Sequence, residues 1–231
     1  MTELSNRAFI FDMDGTLVDN MHVHTEAWAQ LLDENGIEMD RHKFLVATAG
    51  KTNREILPTV FGDISEGRIT ELAKRKEALY REAYLPIRKP VEGLVDFLTE
   101  AQKLGIKMAV ATAASNPNME FILDGLELRR FFDAVTTATD VKVGKPDPAM
   151  FLVSAEKLGV EPRNCIVFED ALGGFEAADR AGMKSIGITT VNSAEDILKC
   201  DSVVEAHSDF TSMKPQDLIE RYVPLVVQIN Q

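Results

Sequence analysis

Two carboxylates, Asp12 and Asp14, stand two residues apart, directly after the apolar run Ala8-Phe9-Ile10-Phe11 and directly before Gly15. Carboxylates so close repel one another unless a cation or a proton lies between them. Hard oxygen donors of this kind suit Mg²⁺. Asp and Gly together also make ordinary turns, and a bare D-x-D after a strand would be read that way. The longer string Asp12-Met13-Asp14-Gly15-Thr16-Leu17-Val18-Asp19, set behind four apolar residues, points to chemistry instead.

Three further segments carry suitable groups. Thr112 follows Val110-Ala111 and can offer a hydroxyl and backbone N–H groups to an anionic oxygen; a turn or cap role is equally compatible with the residue alone. Lys145 lies between Gly144 and Pro146. A point charge there can bind phosphate and neutralise a carboxylate, although a lone loop lysine is more often simply solvated. Glu169 and Asp170 end the apolar run Cys165-Ile166-Val167-Phe168. They can complete a Mg²⁺ site, and they can serve at the same time as an acidic helix start.

These residues share a position. Ala8–Phe11, Met108–Ala111, Ala134-Val135, Ile166–Phe168 and Ser185–Ile188 read as buried parallel strands. Helices are expected between them, over Val91–Leu104, from Asp147 to Gly159 and over Ala171–Ala181, with Pro near a start and Gly past the ends. Alternating strands and helices imply an α/β doubly wound, Rossmann-like parallel sheet. Ligands in such sheets bind outside the carboxyl ends of the strands, where all four segments fall. The interval 20–86 breaks the rhythm. It shows helical patterns over His22–Asn35 and Ser65–Tyr84 and a capping box at Thr52-Asn53-Arg54-Glu55. The expected organisation is a discontinuous α/β core, 1–19 and 87–231, with an inserted helical cap, 20–86.

The chain has 231 residues, 45% of them hydrophobic, and a formal net charge of −12. It can bury a core. Its field repels nucleic acid and anionic membranes, so neither is expected as a partner. An anionic substrate would need local Lys or Arg and a metal to overcome that field. Cys165 and Cys200 share no motif spacing, and the segment Met1–Arg7 has no signal-peptide pattern. A cytoplasmic protein acting as a monomer is expected.

Four segments in order, Asp12-x-Asp14-Gly15-Thr16, Val110-Ala111-Thr112, Gly144-Lys145-Pro146-Asp147-Pro148 and Phe168-Glu169-Asp170 with Gly173 and Ala177-Ala178-x-x-Ala181-Gly182, resemble the haloacid dehalogenase superfamily. The likeness is to its phosphatase and β-phosphoglucomutase-like branch with a small helical cap, and it covers essentially the whole chain. It implies that Asp12 attacks phosphorus to form an aspartyl-phosphate. Asp14 then acts as general acid and base, and Thr112 and Lys145 hold the phosphoryl group. It further implies Mg²⁺ bound by Asp12, the Asp14 carbonyl and Asp170, with Glu169 close by, and a small phosphorylated substrate. The cap is expected to open and close over the site.

Within the cap, Lys76 falls in the middle of an apolar face formed by Ile69, Leu72, Ala73, Leu79, Tyr80 and Ala83. Such a lysine must be paired, must snorkel, or must point into a site. Its string Glu71-Leu72-Ala73-Lys74-Arg75-Lys76 resembles the β-phosphoglucomutase branch, which implies that Lys76 binds substrate. His24 shares a face with Ala27, Trp28, Leu31 and Leu32, the usual place of a core histidine. The match His24-x-x-Ala27-Trp28 implies that it positions the acid/base aspartate. Gly50-Lys51-Thr52-Asn53-Arg54 resembles a substrate-contacting loop and brings in Lys51 and Arg54. On the core side Ala113 and Asn116 are the expected substrate contacts. Ala114 and Ser115 stand where the mutase pattern has a hydroxyl and a Lys. Losing that charge weakens the grip on a second phosphate and favours a sugar-phosphate phosphatase over a β-phosphoglucomutase-type isomerase. A non-catalytic phosphometabolite sensor and a dehalogenase are lesser alternatives.

Overall fold

The computed structural model describes residue 4, residues 6–38, residue 40, residues 43–44 and residues 52–224. The elements are, in chain order, β1 (Ala8–Phe11), α1 (Met21–Glu34), α2 (Asn53–Phe61), α3 (Glu66–Tyr84), α4 (Leu94–Lys103), β2 (Lys107–Ala111), α5 (Asn116–Leu123), β3 (Ala134–Thr136), α6 (Ala149–Leu158), β4 (Cys165–Glu169), α7 (Leu172–Arg180), β5 (Lys184–Ile188), α8 (Ala194–Ile197), β6 (Val203–His207) and α9 (Pro215–Tyr222). The chain divides into two compact units, Met1–Asp19 with Pro90–Gln231, and Asn20–Lys89. The second unit runs past residue 86 because the chain is still turning there: the Ile87 N–H donates to the Tyr84 carbonyl at 3.0 Å. No helix among the described residues is long and apolar enough to cross a membrane.

The first unit is built on a six-stranded sheet in the order β3-β2-β1-β4-β5-β6, with every pairing parallel. Strand β1 is buried on both faces. Its residues alternate, as a strand must. Phe9 and Phe11 point to one side, into an aromatic cluster with Phe97 of α4, Phe168 and Phe210; Phe11 stacks on Phe168 at 4.5 Å. Ala8 and Ile10 point to the other, packing with Met150, Phe151 and Ala155 of α6 and Ala177 and Ala178 of α7. The strand order reverses at β1: β2 and β3 lie on one side, β4 to β6 on the other. The onward connections from β1 and β4 therefore run to opposite sides of the sheet, the place where such sheets bind ligands.

Two boundaries differ from those expected. Helix α4 begins at Leu94, not Val91, because Gly93 before it has φ +75 and packs so closely that a Cβ would lie 2.6 Å from the Thr211 nitrogen. Helix α6 begins at Ala149, and the Asp147 carboxylate accepts the Ala149 N–H at 2.9 Å. Strand β6 and helices α5, α8 and α9 add to the elements legible in sequence. Arg7, buried just before β1, donates to the carbonyls of Val223 and Pro224 at 2.5 and 2.7 Å and so fastens the first strand to the end of α9.

The second unit is helical among its described residues. The Thr52 N–H and hydroxyl both donate to Glu55 at 2.7 Å, closing the expected capping box at the start of α2. Ser65 accepts the Arg68 N–H and caps α3. Helices α1 and α3 bury Trp28, Leu31 and Leu32 against Ile69, Leu72, Leu79 and Tyr80.

Candidate active site

The site of the first unit gathers at the carboxyl ends of β1, β2 and β4. Asp12 leaves β1 one residue past its end, and its N–H donates to the Phe168 carbonyl of β4 at 2.9 Å. The next residues fold into a tight loop in which the N–H groups of Leu17 and Val18 both donate to the Met13 carbonyl and the Gly15 N–H donates to Val18. Gly15 is needed twice over. Its φ is +91, a left-handed conformation that favours glycine, and a Cβ there would lie 2.2 Å from Asp170 Oδ2. The loops after β1 and β4 thus abut, and the Thr16 hydroxyl donates to Asp170 Oδ1 at 3.1 Å.

Lys145 reaches into this place from the segment before α6. Its Nζ donates to Asp12 Oδ1 at 2.5 Å, to Glu169 Oε1 at 2.7 Å and to the Ala111 carbonyl at 3.2 Å. It also lies 4.8 Å over the Phe151 ring, a favourable place for a cation. Burial alone would lower the Lys145 pKa. The charges of Asp12 and Glu169 outweigh it and hold the amine above the usual lysine range.

The carboxylates are under the opposite pressure. Burial pushes Asp12 up to about 7 against the pull of Lys145, and the negative charges of Glu169 and Asp14 add to the rise. Burial also raises Asp170 well above the usual carboxylate range, helped by the charges of Glu169 and Asp12. Asp12, Glu169 and Asp170 thus gather around the Lys145 ammonium, with the charge of Asp14 acting on Asp12. A hard divalent cation fits that surplus of buried oxygen charge.

The expected metal ligands do not all stand alike. Both oxygens of Glu169 are engaged: Oε1 accepts from Lys145, and Oε2 accepts the N–H groups of Asp170 and Ala171 at 2.7 Å. Glu169 therefore caps the entry to α7 and holds Lys145. Among the described residues no group of three or more His, Cys, Asp or Glu side chains is arranged to hold a metal. Asp12 and Asp170 each keep one carboxylate oxygen in contact with a neighbour, Lys145 and Thr16 respectively, and Asp14 is half-buried.

Thr112 lies one residue past β2, buried, its N–H donating to the Thr136 carbonyl at 2.9 Å. Its hydroxyl accepts the Ala114 N–H at 3.0 Å, so the hydroxyl proton can be donated elsewhere. Ala113 and Asn116 are exposed on the same segment, Asn116 opening α5.

Two of the residues expected to bind substrate from the second unit, His24 and Lys76, lie together. Lys76 is 3% exposed. Its Nζ lies 2.7 Å from His24 Nδ1 and 3.1 Å from Glu77 Oε1. His24 stacks on Tyr80 at 3.8 Å, and Asn53 donates to Glu77. Lys76 is thus paired within its own unit. Arg54 pairs with Glu66 on the surface. Lys51 lies outside the described residues.

The family model for haloacid dehalogenase-like hydrolases matches residues 6–182, a span containing Asp12, Asp14, Thr112, Lys145, Glu169 and Asp170. The chain belongs to the haloacid dehalogenase-like hydrolases. A validoxylamine A 7'-phosphate phosphatase from Streptomyces hygroscopicus subsp. limoneus is 32% identical over 196 residues, covering 85% of this chain and 92% of that protein. The fructose-1-phosphate phosphatase YqaB of Escherichia coli is 35% identical over 179 residues, 78% of this chain and 94% of its own. Among solved structures, a β-phosphoglucomutase from Clostridium difficile superposes with a TM-score of 0.80 at 31% identity, covering 94% of this chain and 97% of that one. This haloacid dehalogenase-like hydrolase is therefore an enzyme.

Some participants in the hydrolase site were not legible in its motifs. Gly174, not Gly173, is the glycine that matters for Glu169: a Cβ on Gly174 would lie 1.9 Å from Glu169 Oε1, whereas Gly173 has nothing within 4 Å. Thr190 and Asn192, after β5, donate to the carbonyls of Gly15 and Asp170. The only sequence signal for them is a polar run, Thr189-Thr190-Val191-Asn192-Ser193, at a strand's carboxyl end.

Proposed function

We propose that this hydrolase is a Mg²⁺-dependent phosphatase acting on a small phosphorylated metabolite, a sugar phosphate, with Asp12 as nucleophile. The observation that carries the proposal is Lys145 Nζ at 2.5 Å from Asp12 Oδ1 and 2.7 Å from Glu169 Oε1. That contact orients the Asp12 carboxylate and lowers the cost of bringing an anionic phosphoryl group to it. Asp12 Oδ attacks phosphorus, and the bond from phosphorus to the sugar oxygen breaks. Asp14 gives its proton to that leaving oxygen. Asp14 then takes a proton from water as the water attacks the aspartyl-phosphate, releasing inorganic phosphate and restoring the Asp12 carboxylate. Thr112 donates its hydroxyl proton to a phosphoryl oxygen. Mg²⁺, held by Asp12, Asp170 and the Asp14 carbonyl, would supply Lewis-acid neutralisation of phosphoryl oxygens.

Both named relatives act on phosphorylated carbohydrate-like molecules by their names, which supports the substrate class. Substrate-binding roles for Ala113 and Asn116, and for His24, Lys51, Arg54 and Lys76, belong to the same proposal and rest on family resemblance. Action as a monomer and a cytoplasmic location are part of the same proposal, the latter on the unlinked cysteines Cys165 and Cys200. The second reading, a β-phosphoglucomutase-type isomerase, is favoured by the likeness to the Clostridium difficile enzyme. Against it, Ala113-Ala114-Ser115-Asn116 offers no charge to a second phosphate. Purified protein incubated with a panel of sugar monophosphates, with Mg²⁺ and after chelation, should release phosphate only with the metal. No release from any of them would refute the proposal.

A further inference from the structure

We infer that Thr190 and Asn192, on the loop after β5, are positioning residues that strap together the two acidic loops of the site. The inference rests on the proposed metal-dependent reaction and deepens it. The loops after β1 and β4 come from neighbouring strands. Asp12 and Asp170, one on each loop, are both buried carboxylates, and like charges so placed tend to drive the loops apart. Contact between the loops is close, with Gly15 against the Asp170 carboxylate. One side-chain bond, Thr16 to Asp170, spans it directly.

The third loop supplies the rest. The Thr190 hydroxyl donates to the Gly15 carbonyl on one side. Asn192 Nδ2 donates to the Asp170 carbonyl at 2.8 Å on the other. The strap is itself anchored, since the Thr189 N–H donates to the His207 carbonyl of β6 at 2.9 Å. Both donors act on the main chain beside Asp14 and at Asp170. They therefore set the spacing of the oxygens that would meet a cation without touching the cation or the substrate. Hydrogen-bonding partners of metal-binding groups commonly matter about 10–100-fold in metal affinity.

The test is Mn²⁺ binding to substrate-free protein by electron paramagnetic resonance, alongside the Mg²⁺ dependence of phosphate release. Thr190→Val and Asn192→Ala should each weaken Mn²⁺ binding about tenfold. The Mg²⁺ concentration for half-maximal activity should rise in step, while KM at saturating Mg²⁺ stays within about twofold. Thr190→Ser, which keeps the donor, should bind Mn²⁺ as the wild type does. Unfolding of each variant in chelator separates a lost strap from a lost fold. Variants that bind Mn²⁺ like the wild type would overturn the strap and leave the phosphatase proposal standing. A wild type that binds no Mn²⁺ would overturn both.

Discussion

Asp12 is held in a contradiction that explains much of the site. It is buried, which favours its neutral form, and it touches Lys145, which favours its charged form. A nucleophile needs the charged form. Asp12→Asn keeps the shape and one contact to Lys145 but removes the attacking electron pair, so turnover should fall by about 10³-fold or more. Circular dichroism and phosphate release on the same preparation check this, and near-normal turnover would remove Asp12 from the mechanism. The same contradiction predicts a pH dependence of stability. The folded-state value of Asp12 is raised to about 7 from an ordinary 3.8. A raised carboxyl contributes stability that is fully present below the unfolded value and is lost as pH rises through the folded value. In chelator, the melting temperature should fall between about pH 4 and pH 7, with Asp170 adding in the same direction. Asp12→Asn should flatten that slope and melt about 5 °C above the wild type at pH 8. A slope identical in both proteins would show that Asp12 is not under that strain.

Elements place these residues to within a contact, and two substitutions test them. Gly174 lies in the first turn of α7, beneath Glu169. Gly174→Ala should push Glu169 off Lys145 and off the two N–H groups it accepts, costing about 1–3 kcal/mol and lowering kcat. Denaturant unfolding and steady-state rates measure the two effects, and an unchanged kcat with intact folding would free Lys145 from dependence on Glu169. In α3, Lys76→Ala removes a buried cation that pairs with Glu77. Breaking such a pair costs about 3 kcal/mol, so a stability loss should accompany any loss of activity, and a variant as stable as the wild type would contradict the pairing. Sequence alone placed Lys76 in its apolar stripe but left its partners open, because one of them, His24, is 52 positions away. Strands β1, β2 and β4 were legible from apolar runs, and β3 and β5 from shorter or interrupted ones. Strand β6 was not: Val203-Val204-Glu205-Ala206-His207 is half-buried throughout at the sheet's edge, where charged residues are tolerated. Helix α5 was hidden by Pro117 and its short length. The acidic and basic groups of the site were legible because each sits in a motif. Thr190, Asn192 and Gly174 were not, because their roles depend on which strands neighbour one another.

At the scale of the molecule, a chain of net charge −12 must attract a phosphorylated anion. Long-range repulsion slows the encounter, and salt screens it over about 10 Å at 0.1 M. Raising ionic strength from low to physiological should therefore increase kcat/KM for a sugar phosphate, by about threefold; a steep decrease would show that local cations such as Lys145 govern the encounter instead. The sheet order completes the picture. Reversal at β1 brings Asp12, Thr112, Glu169 and Asp170 to one edge from segments more than 150 residues apart, and Lys145 closes the group. In the proposed reaction, that edge passes a phosphoryl group from a sugar to Asp12 and on to water. The most direct test is to incubate the enzyme with β-glucose 1-phosphate, Mg²⁺ and a trace of the bisphosphate, with Asp12→Asn alongside. Inorganic phosphate and glucose 6-phosphate are measured together. The account predicts phosphate release that outpaces any glucose 6-phosphate formed and vanishes in Asp12→Asn. Rapid isomerisation with negligible phosphate release would contradict it.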